Sequence, residues 1–64
     1  MQGTKEHALA NAQAYANRND VTVHVWNIYN GMHQFMYCEW YPEEWKHYFT
    51  RKPDYIINPQ KGNA

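Results

Sequence analysis

The chain contains four histidines and one cysteine, residue types that can bind zinc or take part in acid–base and nucleophilic chemistry. Zinc sites are usually marked in a sequence by close pairs such as C-x-x-C or H-x-x-x-H, and neither pair occurs here. The histidines are dispersed along the chain, at His7, His24, His33 and His47. We therefore predict neither a metal site nor a cofactor.

The candidate catalytic groups are also poorly placed. Cys38 falls on the apolar side of a predicted strand, where burial raises the pKa of a thiol and lowers its reactivity. Glu43 and Glu44 are adjacent, so their side chains would diverge by about 100° on a helix and could not work as a paired acid and base. The chain has no serine, and its three glycines are scattered. We therefore predict that the protein is not an enzyme.

Aromatic residues are the other chemically distinctive group, at 17% of the chain. They are concentrated between Val21 and Trp40, where the sequence reads VTVHVWNIYNGMHQFMYCEW. Such side chains form the centres of protein interfaces and can also stack on nucleic-acid bases. Which of these they can do depends on the elements that position them.

A helix is predicted from Thr4 to about Arg18, with Thr4 as its N-cap and Glu6 in the first turn, where the helix dipole favours a negative charge. The apolar side of this helix consists of Ala8, Leu9, Ala12, Tyr15 and Ala16. Because most of these residues are small, the helix can lie close against a sheet.

Two strands are predicted on either side of Asn30 and Gly31, over residues 21–29 and 32–41. Asn-Gly is typical of a two-residue hairpin turn because both residues tolerate a positive φ. The sequence therefore leads us to expect that Gly31→Val destabilises the fold, since a β-branched residue rarely adopts that conformation.

The chain after the hairpin predicts a second helix and a third strand. Pro42, followed by two glutamates, is typical of the start of a short helix, which would carry Trp45 and two further aromatic residues. Pro53 ends this helix, and the β-branched run at 54–58 predicts an edge strand that could pair with either strand of the hairpin.

The predicted fold class is therefore α+β, with an N-terminal helix packed on a small antiparallel sheet and the order α-β-β-α-β. We expect one domain over residues 1–64, because a chain of this length supports only one thin core, and a frayed tail over residues 60–64.

Alternation along the strands divides the predicted hairpin into two faces. The core face carries Val21, Val23, Val25, Met36, Cys38 and Trp40, and it becomes more polar towards the turn, where it carries Asn27, Gln34, Tyr29 and Met32. The opposite face, the aromatic stripe, carries Thr22, His24, Trp26, Ile28, His33, Phe35, Tyr37 and Glu39. A two-residue turn would place Trp26 opposite Phe35, and His24 opposite Tyr37, at positions where side chains approach most closely. The stripe must then be covered either by the C-terminal segment or by a partner.

The leading hypothesis is a small protein-binding module or inhibitor that acts through the aromatic stripe, because interface centres are enriched in such residues. The expected binding residues are the anchors Trp26, Phe35 and Tyr37, the flanking His24 and His33, and Arg51 as a rim charge. The general form of the chain is similar to small accessory proteins of phages and mobile elements, which often bind and block a host protein. Two copies that met on the stripe would form a homodimer.

The alternative is the binding of single-stranded nucleic acid by base stacking on the same face. Six basic residues balance six acidic ones, and Arg51 and Lys52 form the only adjacent basic pair. This charge balance favours a protein partner over nucleic acid. With no apolar stretch long enough for a membrane span and a single cysteine, we expect a soluble cytoplasmic protein with no membrane partner.

Overall fold

A computed structural model of the protein describes residues 2–45 and 49–60. In these residues the chain forms β1 (Gln2–Gly3), α1 (Lys5–Asn19), β2 (Val23–Tyr29), β3 (Phe35–Pro42) and β4 (Tyr55–Ile57). The strands make one antiparallel sheet in the order β1-β3-β2-β4, and α1 packs on one of its faces. The predicted α+β class, with an N-terminal helix on an antiparallel sheet, is confirmed.

Both ends of α1 follow from local chemistry. Thr4 is the N-cap, and its Oγ1 accepts a hydrogen bond from the His7 N–H at 3.4 Å. Asp20 ends the helix in the left-handed region, with φ of 57°, and its N–H bonds to the Ala16 carbonyl. Aspartate tolerates this conformation better than most residues do, so the chain can turn towards β2 without glycine.

The core lies between α1 and the base of the hairpin. It contains Ala8, Ala12, Ala16, Val23, Val25, Cys38 and Trp40. The three alanines are fully buried, which lets the helix backbone approach the sheet closely, and the Tyr15 ring packs on Trp40 with centroids 5.5 Å apart. The predicted packing of the alanine face on the valine face is therefore confirmed.

The hairpin turn differs from the sequence prediction. The loop has three residues, Gly31, Met32 and His33, and is closed by the Asn30 N–H bonding to the Gln34 carbonyl at 2.9 Å. The Asn30 side chain stabilises it, because Oδ1 accepts hydrogen bonds from the N–H groups of Met32 and Gln34. His33, with φ of 62°, is the left-handed residue, and Gly31 is not. A Cβ at Gly31 would meet nothing within 4 Å, so the expected loss of stability in Gly31→Val does not follow.

The longer loop changes the register of the hairpin. A two-residue turn would place Tyr29 opposite Met32, but Tyr29 pairs with Phe35, three residues further along. Met36 then forms a bulge. Past the bulge the shift is four residues, so Trp26 pairs with Glu39 and the predicted Trp26–Phe35 pair is wrong. Because four is an even number, the side chains at the base of the hairpin keep the faces that alternation gave them.

The third strand is confirmed as β4, and it pairs with β2, the first strand of the hairpin. Asn58, just after β4, fastens this edge to the rest of the chain. Its carbonyl accepts a hydrogen bond from Gln13 Nε2 on α1 at 2.8 Å, and its Oδ1 accepts one from Thr22 Oγ1 at 3.0 Å. Gln60, the first residue of the predicted tail, donates its N–H to Asn17 Oδ1 at 2.7 Å, and residues 61–64 lie outside the described part.

The second helix is not found among the described residues, where Pro42 is instead the last residue of β3. The Glu43 N–H continues the sheet by donating to the Thr22 carbonyl at 2.8 Å, and the Trp45 N–H closes a turn on Pro42 at 3.0 Å. The remaining positions of the predicted helix include residues 46–48, which lie outside the described residues. None of the described helices is long and apolar enough to cross a membrane.

Candidate functional site

The aromatic stripe is not a continuous surface, because its central residue is covered. Trp26 is the largest fully buried side chain among the described residues. The Phe49 ring stacks on the Trp26 ring with centroids 4.9 Å apart and an interplanar angle of 28°. The Trp26 Nε1 donates a hydrogen bond to the Arg51 carbonyl at 3.0 Å. Residues 49–54, the covering segment, thus form a second layer on this part of the sheet. The predicted anchor Trp26 is a core residue in this arrangement.

The covering segment is fastened to the free edge of β2 by side chains. Asp54 Oδ2 accepts hydrogen bonds from the Asn27 N–H at 2.7 Å and from Arg51 Nη1 at 2.9 Å. Arg51 Nη2 donates to the Asn27 carbonyl, and the Asp54 N–H donates to the Val25 carbonyl at 2.8 Å. Arg51, expected as a rim charge, therefore holds the covering segment in place.

The Asp54 carboxyl group is tuned by the same contacts. Partial burial disfavours its charged form, but the Asn27 N–H and the Arg51 guanidinium favour it. The balance holds the pKa of Asp54 below its usual value. Asp54 thus stays ionised at neutral pH, where it accepts both hydrogen bonds.

Two other expected binding residues are half-buried on the sheet. The Tyr37 hydroxyl donates to Glu39 Oε2 at 2.9 Å, a hydrogen bond that, together with burial, raises the pKa of Tyr37. His24 lies edge-on to Trp26, with Nε2 3.8 Å from Glu43 Oε1. His24 pairs with Tyr41 across the hairpin, so the predicted His24–Tyr37 pair is wrong.

The end of the hairpin projects beyond its neighbouring strands. β4 pairs only with residues 23–25 of β2, and β1 pairs only with residues 38 and 39 of β3. Residues 29–36, the hairpin tip, therefore lack a third strand on either side in the described part of the chain. Side chains at the tip are correspondingly exposed.

Four large apolar side chains are exposed at the hairpin tip and form the tip cluster. Its members and their exposed fractions are Tyr29 at 50%, Met32 at 78%, Phe35 at 42% and Met36 at 55%. The Tyr29 and Phe35 rings meet edge to face, with centroids 6.2 Å apart at 79°. Phe35 is thus the one predicted anchor that is exposed, and His33 lies in the same loop.

Sequence reasoning missed the exposure of Tyr29, Met32 and Met36, which strict alternation places on the core face. The polar residues Asn27 and Gln34 on that same face were the available signal, because they indicate that the core ends before the turn. The bulge at Met36 had no recognisable pattern in the sequence.

An open groove of about 570 Å³ lies between the hairpin tip and the covering segment. It is lined by Ile28, Tyr29, Asn30, His33, Phe49 and Arg51. Two of its polar side chains already have partners, because the Asn30 Nδ2 donates to Gln34 Oε1 at 3.0 Å and Arg51 is paired with Asp54. Ile28, Tyr29 and Phe49 give the groove an apolar lining that suits an apolar side chain.

The chemistry of the remaining reactive groups is limited. No set of three or more His, Cys, Asp or Glu residues that could hold a metal ion occurs in residues 2–45 and 49–60. Cys38 is fully buried, its Sγ donates to Asn27 Oδ1 at 3.3 Å, and burial raises the pKa of the thiol. The thiol therefore lies in the core, as the strand pattern predicted.

Comparison of the chain with protein-family models, with curated proteins and with solved structures found no match. The candidate site is therefore defined by the structure of this chain alone. It consists of the tip cluster and the adjoining groove, which share Tyr29.

Proposed function

We propose that this protein is a small protein-binding module or inhibitor whose contact surface is the tip cluster. One observation carries the proposal: the projecting end of the hairpin bears four large apolar side chains that are 42% to 78% exposed, two of which, Tyr29 and Phe35, are in contact. Monomeric proteins seldom leave such a group of side chains uncovered unless it binds something. Tyrosine, phenylalanine and methionine are also enriched at the centres of protein interfaces.

The charge distribution supports an apolar interface. The chain has no Asp, Glu, Lys or Arg between Val21 and Cys38, so the hairpin tip carries no fixed charge. Depletion of charge is typical of the centre of an interface, where a charged group would have to lose its hydration. The partner's contact surface should therefore be apolar and uncharged as well.

The contacts differ from those expected from the sequence. Phe35 stays an anchor, whereas Trp26 is buried under Phe49 and the Tyr37 hydroxyl is bonded to Glu39. The aromatic stripe is therefore replaced by the tip cluster as the proposed contact surface, with His33 beside it.

Binding of single-stranded nucleic acid has weaker support. Base stacking needs exposed ring faces along a positively charged path. Trp26 is buried, Tyr29 and Phe35 meet edge to face, and the Arg51 guanidinium is paired with Asp54 at 2.9 Å. We therefore favour a protein partner.

The test is an affinity capture from cells that naturally produce the protein, with and without nuclease. The wild type is compared with the double variant Phe35→Ala, Met36→Ala and with Ile56→Ala, a control that truncates an equally exposed apolar residue on β4 (59%). We expect the wild type and Ile56→Ala to retain the same protein after nuclease treatment, and the double variant to lose it.

Two results would contradict the proposal: equal capture by the tip variant, or loss of the captured material with nuclease. Circular dichroism of each variant shows whether the fold is intact. A salt titration of the captured complex adds a second readout, because an apolar interface weakens little with salt whereas phosphate contacts weaken steeply.

A further inference from the structure

Two tyrosine hydroxyls converge on one carboxylate on the face of the sheet opposite α1. The Tyr37 hydroxyl donates to Glu39 Oε2 at 2.9 Å, and the Tyr41 hydroxyl donates to Glu39 Oε1 at 2.6 Å. Because the three residues occupy every second position of β3, their side chains share the face that carries Trp26, the cross-strand partner of Glu39. We propose that Glu39 and the rings beside it bind an arginine side chain of a partner protein.

This site goes beyond the proposed function, because it lies outside the tip cluster and binds a charged group. It rests on the proposed function only in that the partner is a protein. Glu39 is three residues past Met36, the last residue of the hairpin tip, so the same partner can contact both surfaces. Such a partner would place an arginine beside the apolar patch that meets the tip cluster.

The charge of Glu39 is not balanced by a cation in the described part of the chain. The ion pairs found there join His24 to Glu43 and Arg51 to Asp54. Glu39 is half-buried, and water screens a half-buried charge less than a fully exposed one. Charge complementarity therefore favours a cationic ligand at Glu39.

The two tyrosines orient the carboxylate without exhausting its capacity to accept hydrogen bonds. A carboxylate has about four lone-pair positions, and Tyr37 and Tyr41 use one on each oxygen of Glu39. These bonds hold the Glu39 side chain in one orientation, so little conformational entropy is lost when a ligand binds. Both oxygens can still accept, which matches the paired N–H groups of a guanidinium.

The Tyr37 hydroxyl keeps its proton under the conditions in which it must donate. Its hydrogen bond to Glu39, partial burial and the negative charge of the carboxylate all raise the pKa of Tyr37. The hydroxyl is therefore protonated at neutral pH and holds Glu39 in place.

Trp45 supplies an exposed ring near this carboxylate, because it packs on Tyr41. Trp45 is 45% exposed, and the centroids of the two rings are 5.9 Å apart at an interplanar angle of 37°. A guanidinium is planar and more weakly hydrated than an ammonium, so it can stack on an aromatic ring as well as bind a carboxylate. These properties favour arginine over lysine as the ligand.

Nuclear magnetic resonance titration of the protein with N-acetyl-arginine amide tests the site directly. The matched ligand is N-acetyl-citrulline amide, in which a neutral urea group replaces the guanidinium. We expect saturable shifts of the Trp45 indole N–H and of the backbone N–H groups of residues 37–41 with the arginine compound alone. Equal shifts with both compounds, or no saturable shifts with the arginine compound, would overturn the proposal.

The variant Glu39→Gln removes the charge and keeps an oxygen that can accept from a tyrosine hydroxyl. The control Glu6→Gln removes the same charge from α1, which packs on the other face of the sheet. We expect the arginine compound to bind Glu39→Gln about tenfold more weakly than the wild type, and Glu6→Gln equally well. Unchanged affinity for Glu39→Gln would refute the site.

The variant Trp45→Leu keeps the Glu39 carboxylate and removes the exposed ring. The arginine compound should bind it about threefold more weakly than the wild type, and an unchanged affinity would exclude stacking on Trp45. Circular dichroism shows whether each variant is folded. If Glu39→Gln is unfolded, salt provides the test of charge in the wild type, because about 500 mM sodium chloride should weaken a charge-dependent contact and leave an uncharged one unchanged.

The titrations and the affinity capture separate this inference from the proposed function. Saturable binding of the arginine compound at Glu39, together with capture that does not depend on the tip cluster, would support the inference and contradict the proposed function. Capture through the tip cluster without binding of the arginine compound would overturn the inference alone.

Discussion

Asn27 connects three parts of the molecule from a buried position on β2. Its Oδ1 accepts a hydrogen bond from the Cys38 thiol at 3.3 Å, and its Nδ2 donates to the Tyr29 hydroxyl at 3.4 Å. Its backbone N–H donates to Asp54 at 2.7 Å, and its carbonyl accepts from Arg51. A buried amide group is costly unless its polar atoms are bonded, so these contacts let a polar residue lie at the end of the core.

Asp54 gives a prediction at the scale of the single residue. The pKa of Asp54 is lower in the folded protein than its usual value, so its contribution to stability is present above that usual value and is lost as the pH falls through the folded pKa. We expect Asp54→Asn to lower the free energy of unfolding at pH 7 by about 1 kcal/mol, a modest effect because the side chain is partly exposed.

Urea denaturation of the wild type and of Asp54→Asn between pH 7 and pH 2 measures this contribution. The difference between the two proteins should be constant near neutral pH and should shrink in acid. A difference that does not change with pH would mean that the Asp54 charge does not stabilise the covering segment.

At the scale of the element, the hairpin combines two irregularities whose effects cancel. The three-residue loop moves the second strand by three positions, which alone would turn its core residues outward. The bulge at Met36 adds a fourth position, so Cys38 and Trp40 face α1 after all. At the hairpin tip, before the bulge, the shift is not cancelled, and Phe35 pairs with Tyr29.

The packing of α1 gives a prediction at the same scale. Ala12 is fully buried near the middle of the helix, whereas Ala14 is exposed. Ala12→Leu should lower the free energy of unfolding by about 1–3 kcal/mol, because a larger side chain would push the helix away from the sheet. Ala14→Leu is the matched control and should change it little. Thermal or urea denaturation measures both variants. Equal losses of stability in Ala12→Leu and Ala14→Leu would mean that Ala12 is not packed against the sheet.

At the scale of the whole molecule, the sheet is covered on both faces at its base and uncovered at the hairpin tip. α1 covers one face, and the covering segment covers Trp26 on the other. In the described residues neither cover extends to the tip, and a domain of this size has little core. The tip cluster is therefore exposed because α1 and the covering segment both lie at the base of the sheet.

The covering segment gives the prediction at this scale. Phe49 is half-buried and stacked on Trp26, so Phe49→Ala should lower the free energy of unfolding by about 2 kcal/mol, less than truncation of a fully buried phenylalanine. Phe35→Ala, which removes an exposed ring, should cost less. Urea denaturation measures both, and an equal or larger cost for Phe35→Ala would mean that Phe49 is not part of a second layer.

The alternation and helical spacing of the sequence predicted α1, the two hairpin strands, the third strand and the inward-facing valines and Cys38. These features depend on contacts between residues close in the chain or on the two-residue period of a strand. β1 was not predicted, because two residues carry no periodicity. The second helix was predicted from Pro42 and the glutamates after it, but pairing with β2 extends β3 through Pro42.

The sequence by itself determined the α+β class, the alanine face of α1 and an aromatic hairpin with no Asp, Glu, Lys or Arg between Val21 and Cys38. Only the tertiary structure decided which of the aromatic residues are exposed. That choice depends on the loop length, the bulge at Met36 and the covering segment, whose contact with Trp26 joins residues more than twenty positions apart. Local propensity cannot specify such contacts, because their free energy is gained only when the whole chain is folded.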